Sequence, residues 1–237
     1  MIDRQEKHKD LVHPVIIIYY KETGPSEKPR ERTIMYQIIL ASESPRRKEI
    51  METMGISYLV IPSNVKEEVE ETVPDQMVQA LAKLKTDAIK ELARAQGKGD
   101  QDLIILGADT MVFYQEHALG KPKNETDAAR MLRLLSGDVH EVCTGVSIHI
   151  LKRNGEEESF TFAVSTKVVV NPLTEEQIRD YIATGEPMDK AGAYAIQGKF
   201  GIFIKEIDGD YYNIVGFPIA EIYATMLRHG IDLKKIN

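Results

Sequence analysis

The stretch YQIILASESPRRKEI, residues 36–50, predicts both a fold class and the place of a binding site. Tyr36–Leu40 has the apolar character of a short buried strand. Ser44-Pro45 then marks a helix start, with serine as N-cap and proline at the first helical position. Three cations follow in the first helical turn: Arg46, Arg47 and Lys48. Because the helix dipole is already positive at this end, the cluster predicts an anion site, such as one for phosphate. The alternative is a solvated helix start.

Overall composition limits what this cluster can bind. The chain has 237 residues, 43% of them hydrophobic and 28% charged, as expected for an ordinary soluble protein. Its net charge of -7 (30 basic against 37 acidic residues) argues against a general nucleic-acid binder, which needs a basic footprint. The cluster is therefore expected to serve a smaller anion.

Residues 1–34 differ in composition from the rest and are predicted to be a flexible N-terminal extension. The apolar run in this part, VIIIYY, is too short to span a membrane, and no secretory signal is evident, so we expect a cytoplasmic protein without a membrane partner. Cys143 is the single cysteine, which excludes an intrachain disulfide framework and a cysteine-based zinc site. Residues 35–237 are expected to form one catalytic domain.

Strand and helix patterns alternate from Met35 onward. Helices are predicted over Pro45–Met54, from near Pro74, near Asp127–Leu135, from a capping box at Thr174 and Gln177, and from about Pro218. Strands are predicted at Ser57–Ile61, on both sides of a sharp break at Gly107–Asp109, in a hairpin around Arg153–Glu156, and at Gly201–Ile207. The segment DGDYYNIVGFPI, residues 208–219, suggests a tight turn that leads into a core strand. This order predicts an α/β fold with a mixed sheet flanked by helices.

Further motifs carry candidate site residues. Asp109 follows a glycine at the end of an apolar strand, where it would face a crevice, although a turn-capping aspartate is an equal alternative. Lys121 in LGKP is weaker, because a loop lysine is usually just solvated. The glycine-rich segment from Gly185 to Gly198 would let the backbone approach a ligand closely. Carboxylates (Glu67, Asp109, Asp189) and cations (Arg46, Arg47, Lys85, Lys121, Lys190) together predict a Mg²⁺–polyphosphate site for attack of water on phosphorus.

The ordered motifs resemble the Maf family of nucleotide pyrophosphatases. LASESPRR, SNVKEE, ALAKLKTDA, LGADTMV, LGKPKNETDA, LLSGDVHEVCTGV, TGEPMDKAGAYAIQG and GDYYNIVGFP all have family counterparts. The match covers about Tyr36 to Leu227 and leaves the N-terminal extension outside.

The resemblance implies hydrolysis of a nucleoside triphosphate between its α and β phosphates, with a divalent cation (Mg²⁺ or Mn²⁺). It also implies an elongated, two-lobed fold with a central cleft, similar to inosine triphosphatases, and a possible homodimer. The implied substrate-binding residues are Ser42, Arg46, Arg47, Lys85, Lys121, Lys190 and Gln197. Glu67 and Asp109 would hold the metal, and Asp109 would be the catalytic base or water-positioning group. Lys83 is a rival to Lys85 if the register slips.

By resemblance, Gln197 matches the glutamine of the family branch that prefers dTTP and UTP. An amide can offer both a donor and an acceptor to a base edge, which explains how specificity could arise but not which base is chosen. The alternatives are a 7-methyl-GTP or ITP pyrophosphatase and a non-catalytic nucleotide-binding regulator of septum formation. Three positions depart from the family pattern: Lys66 (often Asp), Thr86 (usually Ala) and Asp138 (usually Arg). The first and last predict weaker metal binding and one missing basic contact.

Overall fold

The computed structural model describes residues 36–95 and 101–236, and within them the chain forms seven strands and six α-helices. The strands are β1 Tyr36–Leu40, β2 Leu59–Val60, β3 Asp102–Tyr114, β4 His117–Leu119, β5 Val139–Leu151, β6 Glu157–Val170 and β7 Ile204–Asp208. The helices are α1 Pro45–Thr53, α2 Pro74–Ala95, α3 Glu125–Leu135, α4 Glu175–Ala183, α5 Tyr211–Val215 and α6 Ile219–Arg228. The predicted N-terminal extension lies outside the described residues.

The predicted mixed sheet is confirmed. Its strand order is β2-β1-β3-β5-β6-β7, with β4 paired to β3. Strand β1 is parallel to both of its neighbours, β2 and β3, as a strand–helix–strand crossover requires. The pairs β3–β5, β5–β6 and β6–β7 are antiparallel. The predicted hairpin turn joins β5 to β6, and the capping box at Thr174 and Gln177 begins α4. Along the described part of the chain, no helix combines the length and apolarity needed to cross a membrane.

Helix α2 crosses the sheet unusually closely at two glycines. A Cβ atom at Gly145 of β5 would lie 2.1 Å from the carbonyl oxygen of Val78, and one at Gly107 of β3 would lie 2.5 Å from Cγ2 of Thr86. The hydroxyl of Thr86 is 2.7 Å from that of Ser147 on β5, so the family departure at this position adds a buried link between helix and sheet. This close contact fixes the height of α2 above the sheet.

Two large apolar cores lie along the same long strands. One contains Ile104, Leu106 and Ala108 of β3, and the other contains Val112 farther along that strand. Strand β5 is divided in the same way, with Val142 in the second core. The apolar packing is therefore divided between two parts of the same long strands, and the two-lobed shape that the resemblance implied remains a prediction.

The predicted break at Gly107–Asp109 is wrong, because β3 runs through it without interruption. These residues pair with Val146, Ser147 and Gly145 of β5 in regular antiparallel register. The glycine is required by the approach of α2 rather than by a turn.

Two predictions near the C-terminus are also wrong. The strand predicted at Gly201–Ile207 begins only at Ile204, because Lys199–Phe203 forms 3₁₀ turns. The segment after Asp210 forms helix α5 rather than a strand. Asp210 accepts a hydrogen bond from the Tyr212 amide at 2.8 Å, and Gly216, with φ of 113°, ends the helix.

Candidate active site

The nine predicted site residues line one cleft. Two adjoining hollows, of about 540 and 760 Å³, share much of their lining and form it. The predicted residues in the lining are Ser42, Arg46, Arg47, Glu67, Lys85, Asp109, Lys121, Lys190 and Gln197. They come from the β1–α1 connection, helix α1, the segment before α2, helix α2, strand β3 and two loops. The fold therefore brings together groups that are more than 150 positions apart in sequence.

A lysine lies between two carboxylates at the centre of this cleft. The Nζ atom of Lys85 is 2.5 Å from Oδ1 of Asp109 and 3.0 Å from Oε1 of Glu67. Only 11% of the lysine side chain and 12% of the Asp109 side chain are exposed, against 56% for Glu67. Lys83, the alternative register, points away: it is exposed and pairs with Asp87 at 2.5 Å. Lys85 is thus the cleft lysine.

The adjacent arginines of the opening stretch have different environments. Arg47 is buried and donates hydrogen bonds to the Gly216 carbonyl (2.8 Å), the Ser42 hydroxyl (2.9 Å) and the Thr110 hydroxyl (3.3 Å). Burial lowers the pKa of its guanidinium, and the nearby carboxylate of Asp109 opposes that shift. Arg47 therefore links the β1–α1 connection, β3 and the end of α5 at the wall of the cleft.

Arg46 is partly exposed, and within residues 36–95 and 101–236 no hydrogen bond or ion pair is found for its side chain. Ser44 is at the predicted N-cap position of α1, but its side chain makes no capping hydrogen bond. Instead, the Ser44 amide donates to the Ser42 hydroxyl at 3.2 Å. Arg46 is the arginine of this pair that remains available to an anion in the cleft.

The glycine-rich loop is built from tight turns that hold its polar side chains at the cleft. This loop contains two 3₁₀ turns, Glu186–Asp189 and Ala191–Ala193. Gly192, in the second turn, has a left-handed backbone conformation with φ of 67°. The Gly192 amide donates to the Gly120 carbonyl at 3.1 Å, which ties this loop to the one that carries Lys121. Lys190 also forms an ion pair with Asp189.

Sequence analysis missed the apolar part of the lining. Met111, Val112, Tyr194, Ile196 and Val215 border the same cleft. An apolar wall beside cations and carboxylates suits a ligand that has a flat ring as well as phosphates. The neighbours of the recognised motifs were the available signal, since two of these residues follow GADT and two lie in the glycine-rich loop. Thr110, also missed, hydrogen-bonds the hydroxyl of Thr144 at 2.9 Å as well as Arg47.

Two of the departures from the family pattern lie outside this lining. Lys66 is highly exposed and pairs with Glu68 at 2.6 Å. Asp138 accepts hydrogen bonds from the Tyr114 hydroxyl (2.7 Å) and from the Val139 amide (2.7 Å), and it borders a separate surface depression. Neither side chain contacts the cluster of Glu67, Lys85 and Asp109.

The donor set suits a metal that arrives with its substrate. Among the residues that the structure describes, no group of three or more His, Cys, Asp and Glu side chains is placed to hold a metal ion. Glu67 and Asp109 nevertheless converge on one point, and Mg²⁺ is commonly bound by one or two carboxylates together with substrate phosphate oxygens. The residues present fit such an ion when phosphates complete its shell.

Comparison with known proteins identifies the family of this chain. The profile of a family described as Maf-like protein matches residues 37–229. This chain belongs to the Maf family. It is 51% identical to a dTTP/UTP pyrophosphatase of Lachnoclostridium phytofermentans over 201 residues, covering 85% of this chain and 99% of that protein. It is 43% identical to a dTTP/UTP pyrophosphatase of Agathobacter rectalis over 205 residues, covering 84% and 100%.

A solved structure outside the family also aligns with most of the Maf domain. The Ham1 protein of Staphylococcus aureus is 17% identical, with a TM-score of 0.39, covering 81% of this chain and 99% of that one. This similarity is too distant to support an argument about residues.

Proposed function

We propose that this protein is a nucleoside triphosphate pyrophosphatase that hydrolyses dTTP and UTP to the monophosphate and pyrophosphate. The observation that carries the proposal is the cluster of Glu67, Lys85 and Asp109 at the centre of a cleft. The same cleft is lined by arginine and lysine side chains that can donate hydrogen bonds to phosphate oxygens. Relatives at 43–51% identity over nearly their whole length bear the name dTTP/UTP pyrophosphatase.

The residues divide the work between orientation, charge and proton transfer. Arg46, Lys121 and Lys190 line the cleft and would bind the phosphate oxygens, whose charge is otherwise repelled by the carboxylates. Asp109 would orient a water molecule towards the α-phosphorus and accept its proton. Its ion pair with Lys85 fixes the direction in which its carboxylate points. A divalent cation held by Glu67 and Asp109 would neutralise charge on the phosphates.

Base selection is assigned to Gln197. Its amide can donate and accept one hydrogen bond each at the edge of a pyrimidine. The apolar side chains of Tyr194 and Ile196 border the same space and would cover the faces of the base and sugar. Gln197 is exposed in the structure, so a bound base would have to cover its amide before an unpaired amide group could disfavour the wrong base.

The test is pyrophosphate release from dTTP, UTP, CTP, 7-methyl-GTP, ITP and ATP with Mg²⁺ or Mn²⁺. We expect dTTP and UTP to be turned over much faster than the other four nucleotides, with pyrophosphate and monophosphate released in equal amounts. Turnover of 7-methyl-GTP or ITP instead would keep the reaction and overturn the assignment of Gln197. Binding of nucleotide without any turnover would favour the regulator.

Residues 35–237 are proposed to suffice for this activity, since every residue assigned above lies within them. A chain that lacks residues 1–34 and begins at Met35 should turn over UTP at the rate of the full chain. A large loss of activity would assign the extension a role in the site. The homodimer remains a prediction, which sedimentation of the full chain would test.

A further inference from the structure

The segment Ala195–Lys199 is held at both of its ends by one pair of side chains. The Tyr181 hydroxyl accepts a hydrogen bond from the Ala195 amide at 3.2 Å and donates one to Oε1 of Glu186 at 2.8 Å. The other carboxylate oxygen of Glu186 accepts a hydrogen bond from the Lys199 amide at 3.1 Å. The middle residue of the segment is Gln197. We call Tyr181 and Glu186 the clamp.

The clamp is anchored in a rigid part of the molecule. Tyr181 lies on α4 and is 4% exposed, and its ring packs against Phe200 with centroids 5.0 Å apart. Burial and the Glu186 carboxylate raise the pKa of the Tyr181 hydroxyl, so it remains a donor at every physiological pH. The anchored hydroxyl therefore fixes the carboxylate, and the carboxylate fixes the far end of the segment.

The fit between clamp and segment is tight. A Cβ atom at Gly198 would lie 2.2 Å from Oε1 of Glu186, so only glycine allows the carboxylate to reach past it to the Lys199 amide. Glu186, Ala195, Gln197 and Gly198 all line the cleft, whereas Tyr181 does not, so only Tyr181 acts without touching a ligand. The clamp thus spans from the α4 core to the surface that would face a base.

We propose that the Tyr181–Glu186 clamp is a positioning device for Gln197, and that it sets base selectivity rather than the rate of phosphate chemistry. The proposal rests on the proposed function, because it assigns the second layer of the same base site. The clamp holds the backbone on both sides of Gln197, and a side-chain amide can present its donor and acceptor to one base in preference to another only if the backbone that carries it is held in place. Asp109 and the cations assigned to phosphate binding lie outside the segment between the two clamped amides, and most of them lie on other elements.

The substitution that tests this is Tyr181→Phe, which removes one oxygen and keeps the ring packed. It frees the Ala195 amide and removes the donor to Oε1 of Glu186, while the Lys199 amide still donates to Oε2. We expect the ratio of kcat/KM for UTP to that for CTP to fall about fivefold to tenfold, the value of a lost hydrogen-bond arrangement. The fall should come from a raised KM for UTP, with kcat for UTP within about twofold.

Glu186→Gln provides the second variant, and it keeps the test decisive if Tyr181→Phe fails to fold. The amide retains one acceptor oxygen, so it can serve only one of the two partners that the carboxylate serves. We expect the ratio of kcat/KM for UTP to that for CTP to fall in this variant too, by less than in Tyr181→Phe. The matched control is Tyr223→Phe, which removes a tyrosine–carboxylate hydrogen bond of 3.1 Å to Asp232 outside the cleft lining. The control should change neither selectivity nor KM.

Backbone hydrogen exchange separates failure of the clamp from failure of the proposed function. The amides of residues 195–199 should exchange about tenfold faster in Tyr181→Phe than in the wild type, and they should be unchanged in Tyr223→Phe. An unchanged UTP to CTP ratio in a folded clamp variant would overturn the proposal. If the wild type turns over no nucleotide, the proposed function fails, and unaltered exchange at these amides would then reject the clamp as well.

Discussion

The ammonium nitrogen of Lys85 lies 2.5 Å from a carboxylate oxygen of Asp109 and 3.0 Å from one of Glu67. A cation of the protein thus sits between the two carboxylates that are assigned to a divalent metal. Two carboxylates and one ammonium leave a single net negative charge at this point. Metal binding without nucleotide must then compete with the lysine, whereas a triphosphate would offer the lysine a different anion.

Removing that ammonium should strengthen metal binding to the nucleotide-free protein. Lys85→Met should lower the dissociation constant for Mn²⁺ at least about fivefold, because the metal then has no competing cation at 3 Å. It should also lower UTP turnover by about a hundredfold, since the lysine no longer orients Asp109. Titration calorimetry with Mn²⁺ alone measures the first effect.

The matched control for this substitution is Lys83→Met, on the same helix. Lys83 pairs with Asp87 and lies outside the cleft lining, so neither Mn²⁺ affinity nor turnover should change. Equal Mn²⁺ affinity in Lys85→Met and wild type would show that the lysine does not compete with the metal.

The adjacent arginines should separate stability from binding. Arg47→Met leaves the Gly216 carbonyl and two hydroxyls without their buried donor, so we expect a loss of about 2–4 kcal/mol in the free energy of unfolding. Arg46→Met should cost less than about 0.5 kcal/mol, as for other partly exposed side chains, while it raises the KM for UTP. Urea denaturation and steady-state kinetics measure the two quantities. Equal losses of stability in both variants would contradict the distinction.

Most of the site was predictable from the sequence because its residues lie in ordered motifs. Asp109 was placed in a crevice from its position after an apolar strand and a glycine. The strand break predicted beside it was wrong. That prediction followed the general rule that a glycine within a strand marks an interruption. Here Gly107 makes room for α2, which is packed against the strand from a distant part of the chain. That contact leaves no local signal in the sequence.

Helix α5 shows a second limit of local reasoning. Its residues YYNIV are aromatic or β-branched around one asparagine, and such residues favour a strand. Tertiary contacts override this preference. The buried Asn213 amide donates to the Val142 carbonyl (2.8 Å) and to the Thr166 hydroxyl (2.9 Å), which fixes the segment against β5 and β6. Likewise, the roles of Arg46 and Arg47 could not be separated, because their partners lie in distant segments.

The close crossing of α2 predicts a severe effect of a single methyl group. Gly145→Ala would place Cβ 2.1 Å from a backbone oxygen of the helix, so α2 must move or the strand must distort. We expect a loss of about 3 kcal/mol in unfolding free energy, together with reduced turnover because α2 carries Lys85. The control is Gly120→Ala, where no heavy atom lies within 4 Å and stability should change by less than about 0.5 kcal/mol. Similar stability of the two variants would contradict the packing described for α2.

A buried histidine predicts loss of stability in mild acid. His140 is 2% exposed, its Nε2 atom is 2.8 Å from the Tyr194 hydroxyl, and burial lowers its pKa from 6.5 to about 4. The unfolded chain therefore binds the proton more readily than the folded one. The contribution of neutral His140 to the free energy of unfolding is fully present above pH 6.5. It is lost as the pH falls towards 4, by a total of about 3 kcal/mol.

His140→Gln should flatten this part of the stability profile, because its amide can still pair with Tyr194 and does not titrate. The contribution of His149, whose pKa is also lowered by burial, is common to both proteins and cancels in the difference. Urea denaturation at pH 7.5, 6, 5 and 4 provides the comparison. Parallel profiles for the two proteins would show that His140 does not titrate in this window.

We expect Asp109 to perform the chemistry in a cleft that binds a nucleoside triphosphate. The most direct measurement compares wild type with Asp109→Asn for pyrophosphate release from UTP and for UTP binding. We expect turnover to fall by at least about a hundredfold, because an amide cannot accept the proton from water, while UTP still binds. Wild-type turnover in Asp109→Asn would show that Asp109 is not the group that accepts this proton.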